Sequence, residues 1–169
     1  IHLHLDDGGE LVMTNARRLG RIRLREDPLG EPPLSELGFD PLLDMPPPAE
    51  FVDRLTARRT AVKNVLMDQS FSAGVGNWIA DEVLYQAKVD PRRLACDVSA
   101  AEARAIRAAL AKIVATAVEV DAEKSQLPRN WLFHDRWGKV ARAKTARGEA
   151  IEFTRIGGRT TAFVPARQR

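Results

Sequence analysis

Residues 70–91 read SFSAGVGNWIADEVLYQAKVDP, and no other stretch restricts the fold as tightly. Gly74-Val75-Gly76-Asn77 runs directly into a helical pattern, with apolar Ile79, Val83, Leu84 and Ala87 at i, i+4, i+5 and i+8. Asn77 is a residue type suited to the N-cap. Asp81 and Glu82 fall in the first turns, where acidic groups favour the helix dipole. A glycine-rich turn feeding a helix N-terminus presents free N–H groups to an anion. Spacing alone favours the plainer reading of the same residues, a tight helix–helix turn in which glycine supplies positive φ. GVGN lacks the GxGxxG spacing, and neither Lys-Ser nor Lys-Thr follows it, which disfavours a nucleotide loop of the usual types.

The chain of 169 residues is long enough for one domain or two small ones, and its 44% hydrophobic content suffices for a core. No apolar run approaches the ~18 residues of a membrane span. The start, Ile1-His2-Leu3-His4, has no signal-peptide pattern and no initiator Met, so a processed or excised piece is expected. The single cysteine, Cys96, excludes an internal disulfide and fits a reducing, intracellular compartment, either cytoplasm and nucleoid or nucleus. Charge is uneven. Residues 129–169 carry ten Lys/Arg against three Asp/Glu, whereas residues 1–128 are mildly acidic. A basic tail of this kind suits a polyanionic partner and is also compatible with a merely solvated surface.

Residues 1–25 read as short strands. Ile1, Leu3 and Leu5 alternate with His2 and His4, Asp7-Gly8-Gly9 is a hairpin turn, Leu11 to Met13 follows, and Ile22 and Leu24 alternate with arginines. Three short strands are too few to close a sandwich. Residues 26–48 hold seven prolines and read as a linker. Helical patterns follow from Ala49 to Val120. One begins with Phe51, Val52 and Leu55, a second covers Ala61 to Asp68, and a third covers Asn77 to Ala87. The fourth opens at Ser99 with Glu102 as a capping box and an apolar face of Ile106, Leu110, Ile113, Val114, Ala117 and Val118. Trp131, Leu132 and Phe133 sit among arginines and are expected to plug a small core rather than to stack on bases. The tail forms a hairpin about Gly157-Gly158, with Arg159 at or just past its tip.

The wording VKNVLMDQSFSAGVGNWIADEVLYQAKVDP closely resembles the helix-two-turn-helix of the formamidopyrimidine-DNA glycosylase / endonuclease VIII family. GGRTTAFVPxRQ resembles that family's C-terminal finger. The resemblance implies an α+β chain with the end of a β-sandwich (1–25) and a proline-rich linker (26–48). A helix-two-turn-helix DNA-binding domain (49–128) and a finger hairpin (129–169) would follow. It implies that Asn77 and Arg159 contact DNA phosphates, with Gly76 and Lys63 of the two-turn motif beside them. It also implies that Arg17 fills the gap left by a flipped nucleotide, with Arg18 alongside and Leu19 as an apolar wedge. The loop from Lys124 to Asn130 would close over the extruded base.

Two departures qualify that picture. Most of the family builds the finger on four zinc cysteines, whose places hold Lys144, Arg147, Val164 and Arg167 here, so a zincless finger with no metal and no cofactor is expected. Phe153, Ile156, Phe163, Val164 and Trp137 would hold it instead. The family's nucleophile is an N-terminal proline amine followed by a glutamate, and nothing in these residues matches that pair, so no catalytic residue is assigned. The implied function is the DNA-binding portion of a base-excision-repair glycosylase and AP lyase for oxidised purines such as 8-oxoguanine and formamidopyrimidines. This portion would be inactive by itself. Its partner would be duplex DNA with oxidised bases or abasic sites, bound by a monomer with no membrane association. The alternative is a non-catalytic helix-two-turn-helix module for nucleic acid.

Overall fold

A computed structural model describes residues 1–16, 20–137 and 142–169. The chain divides into two compact units, residues 1–35 and 36–169.

The first unit is built on one hairpin. Strand β1 (His2–His4) pairs antiparallel with β2 (Glu10–Val12), with His2 opposite Val12, Leu3 opposite Leu11 and His4 opposite Glu10. The turn is closed by Gly8 N–H donating to Leu5 O (3.1 Å) and Leu5 N–H donating to Gly9 O (2.8 Å). Gly8 sits at φ +82°, which explains a glycine there. No described residue of this unit is buried. The strand expected around Ile22 and Leu24 does not form. Those side chains are 60% and 96% exposed, and alternation without a neighbouring strand to pair leaves the backbone irregular.

The second unit holds the core. Helix α1 (Pro48–Thr56) begins with proline at its first position, where the missing N–H costs nothing. Its buried Phe51 meets Phe39 and Phe71 edge-on, with ring centroids 5.9 and 5.8 Å away. Phe39 therefore anchors the proline-rich segment on the helices, and Gly38 lies so close to the Phe71 backbone that a Cβ would stand 2.3 Å from it. Helix α2 (Val62–Met67) is short, and α3 (Asn77–Ala87) follows it. Helix α4 (Ala100–Glu119) starts from the expected capping box, with Glu102 N–H donating to Ser99 Oγ and Ser99 N–H donating to the Glu102 carboxylate. Ile106, Leu110 and Ile113 are fully buried, each stabilising by about 2 kcal/mol. Val118, expected on the same face, is 53% exposed, because it lies about 100° around the helix from the buried Ala117, at the edge of that face.

Strands β3 (Glu152–Ile156) and β4 (Arg159–Phe163) form the C-terminal hairpin, with Ile156 opposite Arg159. Gly157 and Gly158 both have positive φ, as a two-residue turn matched to strand twist requires. Phe163, Val164 and Ile156 are buried as expected, and Val164 joins Tyr85, Leu132, Ile151 and Ala162 in a second cluster on which the half-buried Phe153 packs. Trp131, Leu132 and Phe133 are buried, whereas Trp137 remains 49% exposed. Among the described residues no helix is long and apolar enough to cross a membrane.

Candidate nucleic-acid interface

The run from α2 to α3 folds around two side chains. The Asp68 carboxylate accepts from Ser70 N–H (3.0 Å) and Ser70 Oγ–H (2.7 Å), and these bonds hold its pKa below the ordinary value. Gln69 clamps the glycine turn. Its Oε1 accepts from Gly74 N–H (2.9 Å), and its Nε2 donates to Val75 O (3.0 Å) and Met67 O (3.0 Å). Gly74 at φ +76° reverses the chain into α3.

Asn77 is not the cap of α3. Gly76 occupies that position in extended backbone, no side chain caps the helix, and Asn77 is the first helical residue. Its Nδ2 instead donates to Thr160 O of β4 (3.0 Å). The amide reaches the hairpin because the strand beside it supplies the Thr160 carbonyl, which also accepts from Lys63 Nζ (3.5 Å), and the helix start is left uncapped. Its first N–H groups therefore remain available to an anion.

The acidic pair does not serve the helix dipole either. Asp81 and Glu82 are buried on the inner side of α3, which buries every residue from Ala80 to Tyr85. Asp81 Oδ1 pairs with Lys63 Nζ at 2.6 Å, and Oδ2 pairs with Arg136 Nη2 at 2.7 Å while accepting Ala162 N–H at 3.1 Å. Lys63 Nζ also donates to Thr161 Oγ1 (2.7 Å). Burial lowers the Lys63 pKa, against the opposing pull of Asp81. Lys63 is thus corrected from an expected DNA contact to an internal post. It is 0% exposed, and its ammonium is committed to Asp81 and β4. Glu82 accepts from Gln86 Nε2 (2.8 Å) and Phe133 N–H (2.9 Å), and burial pushes its pKa up to about 7.

This network docks the hairpin on the helices and fixes where its tip lies. A cavity of about 610 Å3 opens between them, lined by Asn64, Met67, Asp68, Gln69, Val75, Gly76, Asn77, Gly157 and Arg159. Asn77, Gly76 and Arg159 therefore meet at one site, from α3 and β4, with Thr160 between them. Gly157 presses on α2 so closely that a Cβ would stand 2.2 Å from Asn64 Oδ1. A second groove, along Trp78, Ile79, Val114 and Val118, has only Asp40 and Asp121 as charged groups, which repel a phosphate. Asn64 and Gln69 were not foreseen as lining residues, although the polar run DQS before GVGN is the kind of turn chemistry that marks such a loop. Arg17, Arg18 and Leu19 lie outside the described residues.

Residues 37–129 match the family described as the formamidopyrimidine-DNA glycosylase H2TH domain. The chain belongs to that family. A formamidopyrimidine-DNA glycosylase of Arabidopsis thaliana is 42% identical over 167 residues, covering 99% of this chain and 43% of the relative. That of Desulforamulus reducens is 39% identical over 120 residues, covering 69% and 43%. The chain thus spans under half the length of these two relatives. Among solved structures, Lactococcus lactis formamidopyrimidine-DNA glycosylase, non-covalently bound to DNA containing an AP site, superposes with a TM-score of 0.67 at 24% identity. That match covers 79% of this chain and 50% of the other. The α+β architecture read from the sequence is the fold observed: a helix-two-turn-helix region followed by a finger hairpin.

Proposed function

We propose that this chain is the DNA-gripping part of a base-excision glycosylase and AP lyase that acts on oxidised purines. Residues 1–25 would be the sandwich end, 26–48 the linker, 49–128 the DNA-binding helices and 129–169 the finger. One observation carries the reading. The uncapped start of α3 and the hairpin tip converge, so Asn77, whose Nδ2 keeps one N–H beyond its bond to Thr160 O, Gly76 with the N–H groups after it, and Arg159 line one cavity. That set of donors suits consecutive phosphates of one bent strand. Arg17, with Arg18 beside it, and Leu19 would occupy the stack vacated by an extruded nucleotide. Relatives named formamidopyrimidine-DNA glycosylase, and a neighbour solved on AP-site DNA, support the choice of partner.

The test is binding of the 169-residue chain to duplexes with and without one abasic site across a salt series. Arg159→Ala lowers affinity for both duplexes and reduces the salt slope by about one. An unchanged slope would remove Arg159 from the interface. Equal affinity for intact and abasic duplexes would favour the non-catalytic module. Borohydride with the abasic duplex gives no covalent adduct, because no amine here is assigned to the lyase step. An adduct would overturn that assignment.

A further inference from the structure

We propose that His2, His4 and Glu10 form a binding site for a divalent first-row transition-metal ion. The site is separate from the DNA-gripping reading and does not depend on it. It follows from the register of the first hairpin. His4 stands directly opposite Glu10, and His2 lies two residues along the same strand, so the pleat puts all three side chains on one face. The opposite face carries Leu3 and Leu11.

The donor atoms already converge. His2 Nε2 lies 3.1 Å from Glu10 Oε2, and His4 Nδ1 lies 3.3 Å from Glu10 Oε1. The two imidazole centroids are 4.3 Å apart, and one ligand atom from each residue lies within 4.8 Å of the other two. Donors bound to one tetrahedral ion at about 2.1 Å stand roughly 3.4 Å from each other. An ion can therefore take the place of the two His–Glu contacts with small side-chain rotations and no movement of the backbone. The donor set fixes the class of ion. Two imidazoles and a carboxylate suit zinc, nickel, cobalt or copper, whereas magnesium and calcium prefer all-oxygen shells. Three protein ligands on an exposed face leave the fourth position to water.

The ion would have a structural role. The unit of residues 1–35 buries none of its described side chains, so among them its strands are joined by ladder hydrogen bonds, turn chemistry and the two exposed His–Glu contacts. Small scaffolds without a core commonly rely on such a staple. An ion bound to β1 and β2 together cross-links them and stabilises the paired state by mass action.

The experiment is calorimetric titration of Zn2+ into the 169-residue chain. One saturable equivalent is expected. His4→Ala weakens it by roughly tenfold or more, since losing a ligand costs at least as much as losing an outer-shell partner. Glu10→Gln weakens it as well, and Cys96→Ser leaves it unchanged. The hairpin residues lie outside the core of residues 36–169, so the thermal transition of that core checks the helical unit, and Glu10→Gln, which keeps the side chain's size, separates loss of a ligand from loss of the hairpin. Absence of saturable binding, undiminished binding in the His2→Ala/His4→Ala double variant, or loss of binding in Cys96→Ser would each overturn the site.

Discussion

Glu82 makes the stability of the helical unit depend on pH in a direction opposite to that of an ordinary carboxylate. Its side chain is fully buried and its pKa stands near 7, against 4.5 for the unperturbed group. The folded state therefore holds a proton that the unfolded chain has already released between those two values. Stability from this group is fully present below pH 4.5 and is lost as pH rises through 7. Within that window each pH unit removes at most about 1.4 kcal/mol, for a total of order 3 kcal/mol. The bonds from Gln86 and Phe133 to the carboxylate oppose the rise, and without them burial would carry it further. Urea denaturation at closely spaced pH values measures it, and Glu82→Gln supplies the reference by removing the titration. The difference between the two proteins should grow in favour of the variant from pH 5 to pH 8, then level off. A difference that is constant with pH would refute the reasoning, and one that grows in favour of the wild type would reverse its sign.

Three further outcomes follow from the packing. The buried cluster of Lys63, Asp81 and Arg136 holds two cations on one anion. Asp81→Asn should therefore cost about 3–5 kcal/mol in urea, and Lys63→Met clearly less, because it leaves a matched pair. Equal costs would argue against this charge balance. Gly157→Ala and Gly148→Ala both place a side chain at positive φ, at about 1–2 kcal/mol each. Only the first meets Asn64, so it should be the more destabilising in a thermal melt and should also weaken DNA binding by displacing the hairpin tip. Ser99→Ala removes the α4 capping box and should lower stability by about 1 kcal/mol, without affecting DNA affinity.

The elements governed by local chemistry were legible in the sequence. The capping box at Ser99 and Glu102, the Gly157-Gly158 turn and the glycine turn before α3 each rest on residue types that only a few backbone shapes accept. Charged residues drawn inside by tertiary contacts were not. Asp81 and Glu82 look like helix-dipole residues because periodicity cannot reveal that α3 is covered on nearly every side. One signal was available for Lys63. It stands between Val62 and the pair Val65-Leu66 in a helix of six residues, where little solvent-facing surface remains. Asn77 was misread for a related reason. An asparagine at a helix start normally turns back on its own N–H groups, and only the strand packed beside it offers Thr160 O as a competitor. The strand expected near Ile22 failed because alternation specifies a face but not a partner.

In the 169-residue chain, the absence of buried side chains among the described residues of 1–35 also divides cooperativity. A melt followed by tryptophan fluorescence would sense only residues 36–169, where all three indoles reside. The hairpin amides would meanwhile exchange with solvent through openings far cheaper than global unfolding. Its apolar face, with Leu3 and Leu11 about half exposed, is a contiguous sticky surface on a marginal element. Solubility and folding stability are thus governed by different parts of the chain. A substitution that hardens the helical core leaves the concentration limit untouched, whereas a charge placed at Leu3 or Leu11 raises that limit without moving the melting temperature.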